Sequence, residues 1–298
     1  MTGVIEIASG STAARIRPDL GFNCESLTID GFDHLHGSPE DGPTAGGIPV
    51  LFPWPNRIAG ATWSWQATTC DLPVTEHDTG ASLHGYACHS AWRVLAAGPD
   101  RVTGEFLMSR DAPAAAWPAD AGLRVTYQVE PGRLLATAEV FCPDGRDLPY
   151  GLGFHPYLRV PGPFDQWELQ VSATRHWPLT DDLVPVGHTE PVDARTDFTR
   201  ARRLADVHLD DVLTALPGAS RLTRRAMLRS PAATVHVSSD PAFREYVLYT
   251  PSSRTSVAIE PYTCASDAVH LTDRGVDAGW RILPAGRIDR LQWSIDIL

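Results

Sequence analysis

Two ionisable residues precede Pro-Tyr at distant places in the chain. His155 lies in the aromatic segment GLGFHPYLRV, and Glu260 ends the apolar run of SVAIEPYT. An imidazole or a carboxylate in apolar surroundings loses hydration, which is costly unless the group has a partner or a use. A histidine and a carboxylate together supply the two halves of general acid–base catalysis. The alternative is a pair of strand ends, where each polar side chain meets solvent as the chain turns at proline.

Two further segments carry polar residues that suit a binding site. PVLFPWPNRIAG places Asn56 and Arg57 after a proline-rich run, and proline makes such a segment rigid, so the guanidinium would be held in a fixed position. Trp54 in the same run is either a stacking surface for a sugar ring or a core residue. His84, in SLHGYACHSAW, precedes a glycine, which permits either a close approach of the backbone to a ligand or a tight turn.

Two adjacent aspartates, Asp210 and Asp211, occur in VHLDDVLTAL. In an extended segment neighbouring side chains point to opposite sides, so only one of the two can enter a pocket. We expect the other to be solvated at the surface.

The elements that must position these residues are short segments in which apolar and polar residues alternate with a period near two. This pattern is typical of half-buried strands. The clearest case is GLRVTYQVEPGRLLATAEVF, where residues 130–133 predict a type II turn because proline presets φ and glycine tolerates a positive φ. Similar runs occur at RVTGEFLM (101–108), WELQVSA (167–173), ATVHVSS (233–239), EYVLYT (245–250), TSVAIEP (255–261) and RLQWSIDIL (290–298).

Strands that recur from one end of the chain to the other predict an all-β protein, a large antiparallel β-sandwich in a single domain over residues 1–298. The 24 glycines and 25 prolines are spread among the strands and form no linker. The arginine-rich segment 192–230 is the one place where we expect a short helix or a long loop.

Composition excludes several classes of function. The 43% of hydrophobic residues suffice for a sizeable core, and a net charge of −11 repels phosphate backbones and anionic lipids, so we expect neither a nucleic acid nor a membrane partner. All 25 basic residues are arginines. Without lysine the chain has no Schiff-base catalyst and no phosphate-binding loop of the Gly-Lys-Ser/Thr type.

The five cysteines are scattered and show no close metal-ligand spacing, which favours a reduced compartment and no metal site. The N-terminal sequence lacks the pattern of a secretory signal, and no apolar run approaches the length of a membrane span. We therefore expect a cytoplasmic protein.

Taken in order, PWPNR, LHG, HPY, an aspartate in LD-x-x-L and IEP resemble the aldose 1-epimerase (galactose mutarotase) family over roughly residues 45–265. The resemblance implies a galactose mutarotase-like β-sandwich without metal or organic cofactor. We expect a monomer or a homodimer whose ligand is a small sugar. It implies that Glu260 is the general base and His155 the general acid. It implies substrate-positioning roles for Arg57, His84, Asp210 and Asn56. LDDVL departs from the family, whose members often have a histidine after the aspartate.

The expected reaction interconverts the α and β anomers of a free aldohexose such as galactose or glucose. One group takes the proton of the C1 hydroxyl while another protonates the ring oxygen, and we expect the two groups on opposite sides of the acetal. A glycoside hydrolase would need Asp210 as a second carboxylate, and a non-catalytic sugar-binding module is the third possibility. A hexose-6-phosphate 1-epimerase would need cationic groups, for which the chain offers Arg200, Arg202, Arg203, Arg221, Arg224 and Arg225.

Overall fold

The structure, a computed structural model, describes residues 3–216 and 222–298. Arg221, one of the arginines considered for phosphate binding, lies outside these ranges. Within them the chain consists mainly of strands, with two short α-helices, α1 (Met108–Asp111) and α2 (Ala268–Asp273), and four 3-10 turns. No helix in the described ranges has the length and apolar character needed to span a bilayer.

The strands of the first half are β1 (Ile5–Ser9), β2 (Thr12–Arg17), β3 (Asn23–Ile29), β4 (Phe32–Asp33), β5 (Val50–Leu51), β6 (Arg57–Ile58), β7 (Thr62–Trp65), β8 (Thr68–Asp71), β9 (Ser82–Leu83), β10 (Arg93–Ala97), β11 (Arg101–Leu107), β12 (Gly122–Glu130) and β13 (Arg133–Phe141). Those of the second half are β14 (Leu148–Tyr150), β15 (Gly153–Phe154), β16 (Tyr157–Leu158), β17 (Glu168–Val171), β18 (Arg175–Trp177), β19 (Glu190–Pro191), β20 (Arg202–Arg203), β21 (Asp210–Thr214), β22 (Thr223–Arg229), β23 (Thr234–Ser239), β24 (Glu245–Tyr249), β25 (Val257–Tyr262), β26 (Arg281–Leu283) and β27 (Ile288–Ile297).

Two large sheets face each other across one core. The nine-stranded sheet has the order β10-β11-β12-β13-β27-β23-β22-β17-β20, and the eight-stranded sheet has the order β19-β18-β21-β24-β25-β15-β5, with β16 also paired to β25. A single hydrophobic cluster joins Val125 and Ile295 of the first sheet to Tyr246 and Ile259 of the second. The predicted antiparallel β-sandwich is therefore confirmed.

The predicted hairpin and strands are present. β12 and β13 pair with Glu130 opposite Arg133, and Gly132 has a φ of 74°, as the type II turn requires. Each of the six other apolar runs overlaps a strand, namely β11, β17, β23, β24, β25 and β27.

The prediction of a short helix or a long loop over residues 192–230 holds for residues 192–209, which are loop apart from the two-residue strand β20. It is wrong for the later described part, which forms β21 and β22, and the described residues of the segment contain no helix. The reason is visible in β22, where Ala226 and Leu228 are buried while Arg224 and Arg229 are exposed. Arginines that alternate with apolar residues fit a strand with one solvated face. A high density of arginines is therefore compatible with a strand.

β25 carries the core on one face and polar residues on the other. Val257 and Ile259 belong to the core between the sheets. Side chains alternate along a strand, so Glu260 and Tyr262 point to the opposite face, where they line a cavity. The same alternation divides β24, whose Tyr246 packs in the core while Val247 lines that cavity. The eight-stranded sheet thus offers a second, outward face on which a site can be built.

Candidate active site

A cavity of about 260 Å³ lies on this outward face of the eight-stranded sheet. All six residues singled out in the sequence line it, although they come from five separate segments. Its walls are formed by Thr44, Asn56, Arg57, Leu83, His84, His155, Tyr157, Asp210, Val247, Tyr249, Glu260 and Tyr262. A larger cavity of about 390 Å³ near Trp177 and Arg244 contains none of the six.

His155 and Glu260 stand side by side at the centre of the site. β25 pairs with β15 before His155 and with β16 after it in one continuous register, which places His155 directly opposite Glu260. Residues opposite each other on antiparallel strands share a face and have Cβ atoms about 5 Å apart. The imidazole Nε2 lies 3.3 Å from the carboxylate Oε1. The expectation that the two groups flank an acetal from opposite sides is therefore wrong.

Both groups are buried, so the alternative of two solvated strand ends is also wrong. His155 is 6% exposed and Glu260 is 1% exposed. The neighbouring residue explains the direction of the imidazole: Phe154 packs in the core against Trp293, with ring centroids 5.1 Å apart. In an extended chain the next side chain must point to the other face, which is the cavity.

Burial shifts both pKa values toward the uncharged forms. It lowers the pKa of His155 to about 3, because the imidazolium loses its hydration. It raises the pKa of Glu260 well above its usual range, and Asp210 adds to this rise, while a hydrogen bond from Tyr262 and the charge of Arg57 act against it. Burial thus favours an uncharged imidazole beside a carboxylic acid.

Two tyrosines that the sequence analysis did not single out contact this pair. The Tyr262 hydroxyl donates to Glu260 Oε2 at 2.5 Å, while Oε1 has no hydrogen-bond partner among the described residues. The ring of Tyr157 stacks on the imidazole of His155, with centroids 4.5 Å apart and an angle of 21° between the planes. The available signal was the position of each tyrosine two residues after the ionisable residue, which puts both on one face of a strand.

Arg57 is held by a partner that sequence reasoning missed. Its Nε and Nη2 donate to the two carboxylate oxygens of Glu76, each at 2.7 Å, and the Thr79 hydroxyl donates to the same carboxylate at 2.5 Å. The bidentate geometry fixes the plane of the guanidinium. Hydrogen bonding from the Arg57 guanidinium is the largest cause of the lowered pKa of Glu76. No feature of the sequence distinguishes Glu76 from other polar loop residues.

Two hydrogen bonds join Asn56 and His84. The His84 backbone N–H donates to the Asn56 carbonyl at 2.9 Å, and the Asn56 N–H donates to His84 Nδ1 at 3.2 Å. Because Nδ1 accepts, the neutral imidazole carries its proton on Nε2 and offers it as a donor. Burial, followed by the charges of His155 and Arg57, lowers the pKa of His84 well below its usual range, so this neutral form is favoured.

The side-chain oxygen of Asn56 is saturated by protein donors. It accepts from the backbone N–H of Arg57 at 2.9 Å, from Arg57 Nη1 at 3.2 Å and from the Ser266 hydroxyl at 2.9 Å. Only the Nδ2 amide hydrogens remain for a ligand, so the amide can act toward the cavity as a donor.

The two adjacent aspartates separate as the strand pattern requires. Asp210 is exposed at the mouth of the cavity, opposite Tyr249 in the register of β21 and β24. Its carboxylate makes no hydrogen bond or ion pair with a described side chain. The expectation that the other aspartate is solvated is wrong, because Asp211 is 4% exposed and forms an ion pair with Arg195.

Trp54 belongs to the core and does not line the cavity. Its ring stacks on Trp117 at a centroid distance of 5.1 Å, and its Nε1 donates to the Ser82 carbonyl. Of the arginines in the described ranges, Arg57 alone lines the cavity, so the arginine-rich stretch lies elsewhere. The described residues include no group of three or more His, Cys, Asp or Glu side chains placed to hold a metal ion.

Comparisons with known proteins agree with this architecture. A sequence model of the aldose 1-epimerase family matches residues 4–288. The uncharacterized protein YihR of Escherichia coli K12 is 26% identical over 98% of this chain and 92% of its own length. A galactose mutarotase-like protein from Clostridium acetobutylicum has a TM-score of 0.85 at 19% identity, over 99% of this chain and 95% of that chain. A galactose 1-epimerase from Lactobacillus acidophilus has a TM-score of 0.80 at 16% identity, over 99% and 94%. The fold is therefore galactose mutarotase-like.

Proposed function

The chain belongs to the aldose 1-epimerase family, and we propose that it interconverts the α and β anomers of a free aldohexose such as galactose or glucose. The observation that carries the proposal is the buried pair of His155 and Glu260, 3.3 Å apart in a cavity. The two oxygens that exchange protons in mutarotation are bonded to the same carbon, so neighbouring acid and base groups suit the reaction. An imidazole stands opposite Glu260 where a glycosidase would normally have a second carboxylate.

In the proposed reaction Glu260 removes the proton of the C1 hydroxyl while His155 delivers a proton to the ring oxygen. The electron pair of the O–H bond becomes part of the C1 carbonyl, and the bond from C1 to the ring oxygen breaks. After rotation about C1–C2 the ring hydroxyl attacks the other face of the aldehyde. His155 then regains its proton, and Glu260 returns its proton to the C1 oxygen.

The assigned roles require the charged form of the pair when the closed sugar is bound. An ion pair of imidazolium and carboxylate holds one proton, and so does an uncharged imidazole beside a carboxylic acid. The first arrangement accompanies the closed sugar and the second accompanies the open aldehyde. Burial favours the second arrangement, whereas the hydrogen bond from Tyr262 to Glu260 and the charge of Arg57 favour the first.

The remaining residues of the cavity orient the sugar and stabilise the negative charge that develops on its oxygens. Arg57 and the Nε2–H of His84 donate toward oxygens on which negative charge develops, and fixed donors of this kind need no reorganisation during the reaction. The amide hydrogens of Asn56 add a further donor. Asp210 at the cavity mouth accepts from sugar hydroxyls and so helps to choose among epimers.

We expect polarimetry on freshly dissolved α-galactose or α-glucose to show a faster approach to equilibrium in proportion to enzyme concentration.

The same assay on glucose 6-phosphate separates the phosphosugar alternative from the free-sugar one. We expect the free sugar to react faster, because Arg57 is already paired with Glu76 and is the one described arginine that lines the cavity. A higher rate on the 6-phosphate would reverse the substrate assignment. Calorimetric binding of the sugar without any anomer exchange would favour a non-catalytic module.

Glu76→Gln is expected to lower kcat/KM roughly tenfold, the effect of losing about 1.4 kcal/mol of transition-state stabilisation. The variant removes the charge that fixes the Arg57 guanidinium, so Arg57 can turn toward Asp210, whose charge already acts on it. Steady-state kinetics on the free sugar measure this loss.

Glu105→Gln is the matched control for this variant. Glu105 is also a glutamate held by arginines, here Arg110 and Arg124, but neither of these arginines lines the cavity as Arg57 does. We expect it to leave kcat/KM unchanged. An equal loss of activity in both variants would mean that the Glu76 effect reflects stability and not the orientation of Arg57.

A further inference from the structure

We propose that the tyrosine of each X-Pro-Tyr motif is a positioning residue for the ionisable residue of its own motif. Tyr262 fixes the carboxylate of Glu260 through a hydrogen bond, and Tyr157 fixes the imidazole of His155 through ring stacking. The inference rests on the proposed function, since it assigns roles to residues that do not themselves exchange protons with the sugar.

Tyr262 selects which oxygen of Glu260 is available for reaction. Its hydroxyl donates to Oε2 at 2.5 Å, so the carboxylate has one oxygen bound by protein and leaves Oε1 facing His155. A donor to one oxygen fixes the rotation of a carboxylate about its Cγ–Cδ bond. It also stabilises the ionised form, which is the form that accepts a proton.

Tyr157 holds the imidazole by a different contact. Its hydroxyl donates to the Thr44 carbonyl at 2.7 Å, which anchors the ring while its face lies against His155 at 4.5 Å. A parallel aromatic face restricts rotation of the imidazole. It also attracts a positive charge, so the stack favours the imidazolium form that donates a proton.

The register of the strands places the two X-Pro-Tyr motifs opposite each other. Tyr262 and Tyr157 lie on the same face as the ionisable pair and on either side of it. Each tyrosine is two residues away from the pair along its own strand. Each ring is accommodated by a small residue across the ladder. Gly153 faces Tyr262, and Ala258 faces Tyr157. A Cβ atom on Gly153 would lie 2.5 Å from the Tyr262 ring, so glycine is required where that ring packs.

Several other groups face the pair and are unchanged by variants of the tyrosines. These are Asp210 from β21, Arg57 from β6, Tyr249 from β24 and His84 from the turn after β9. A shift of the pH–rate profile in a tyrosine variant therefore reports on the contact that was removed.

The pH profile of kcat/KM tests both roles, with Tyr262→Phe and Tyr157→Leu measured beside the wild type. Loss of the hydrogen bond disfavours the Glu260 carboxylate, so Tyr262→Phe should move one limb of the profile upward by about one pH unit and lower the maximum roughly tenfold. Loss of the stack disfavours the His155 imidazolium, so Tyr157→Leu should move one limb downward by about half a unit.

Tyr150→Phe is the control, because Tyr150 is as buried as Tyr262 and does not line the cavity. Its hydroxyl donates to the Asp289 carboxylate at 2.7 Å. We expect neither limb to move in this variant. Uniform rate losses at every pH in the two cavity variants would overturn the proposal.

Crystal structures of the same two cavity variants supply a readout that does not depend on turnover. We expect Tyr262→Phe to break the 3.3 Å contact between Glu260 and His155 through rotation of the carboxylate, and Tyr157→Leu to break it through rotation of the imidazole. Side chains that stay in place would contradict the positioning roles. A wild-type protein without anomer exchange would contradict the proposed function alone.

Discussion

Glu260→Gln should lower the mutarotation rate at least a hundredfold, roughly the contribution of a general base. The amide is close in shape to the carboxylic acid and can still accept from Tyr262, but it cannot take the proton of the C1 hydroxyl. Polarimetry on α-galactose or α-glucose measures the loss.

The loss should come without unfolding. A carboxyl group whose pKa is higher in the folded chain than in the unfolded chain favours folding below its unfolded pKa, and this stabilisation disappears as the pH rises through the folded value. At neutral pH the glutamine variant should therefore have a Tm no lower than that of the wild type.

Glu245→Gln is the matched control, because Glu245 is a fully buried glutamate of the same sheet whose pKa burial raises to about 7, yet it does not line the cavity. We expect this variant to keep its activity. A folded Glu260→Gln protein with a rate near the wild type would remove Glu260 from the mechanism.

His155→Asn should also reduce mutarotation by roughly two orders of magnitude, because asparagine cannot deliver a proton to the ring oxygen. It should in addition abolish the limb of the pH–rate profile that belongs to the imidazole. The residual rate should then depend on the ionisation of Glu260 alone. Polarimetry across the pH range measures both effects.

His176→Asn serves as the control for this variant. His176 is a buried histidine on β18 of the same sheet, and it does not line the cavity. Its replacement should leave the rate and both limbs unchanged. If His155→Asn retains the wild-type profile, the acid of the reaction must be another group, and the neighbouring His84 would be the first candidate.

The architecture was predictable because strand periodicity is a local property. The hairpin of β12 and β13 is specified by its own alternation and by a Pro-Gly turn, and it needs no information from the rest of the chain. The strand β22 was not predicted, because the local density of arginines says nothing about the sheet against which Ala226 and Leu228 pack. The ion pair that buries Asp211 with Arg195 likewise depends on a contact 16 residues away.

The cavity residues of the motifs could be chosen from the sequence, but their geometry could not. That His155 stands directly opposite Glu260 follows from the register of β25 with its neighbours, and a single chain does not reveal a register between strands about a hundred residues apart. The partnership of Glu76 with Arg57 depends on a loop closure that no motif marks. Tyr157 and Tyr262 could have been identified from the sequence, because an i, i+2 spacing in an extended segment places two side chains on one face.

Anomer-exchange NMR on a panel of aldoses tests the central claim most directly. With wild-type protein present, the α and β resonances of galactose or glucose should exchange at a rate that rises with protein concentration. With an equal amount of folded Glu260→Gln, the exchange should fall to nearly the uncatalysed rate. Sugar binding by the wild type with no gain in exchange for any aldose would contradict the assignment of the His155–Glu260 pair as a mutarotation catalyst.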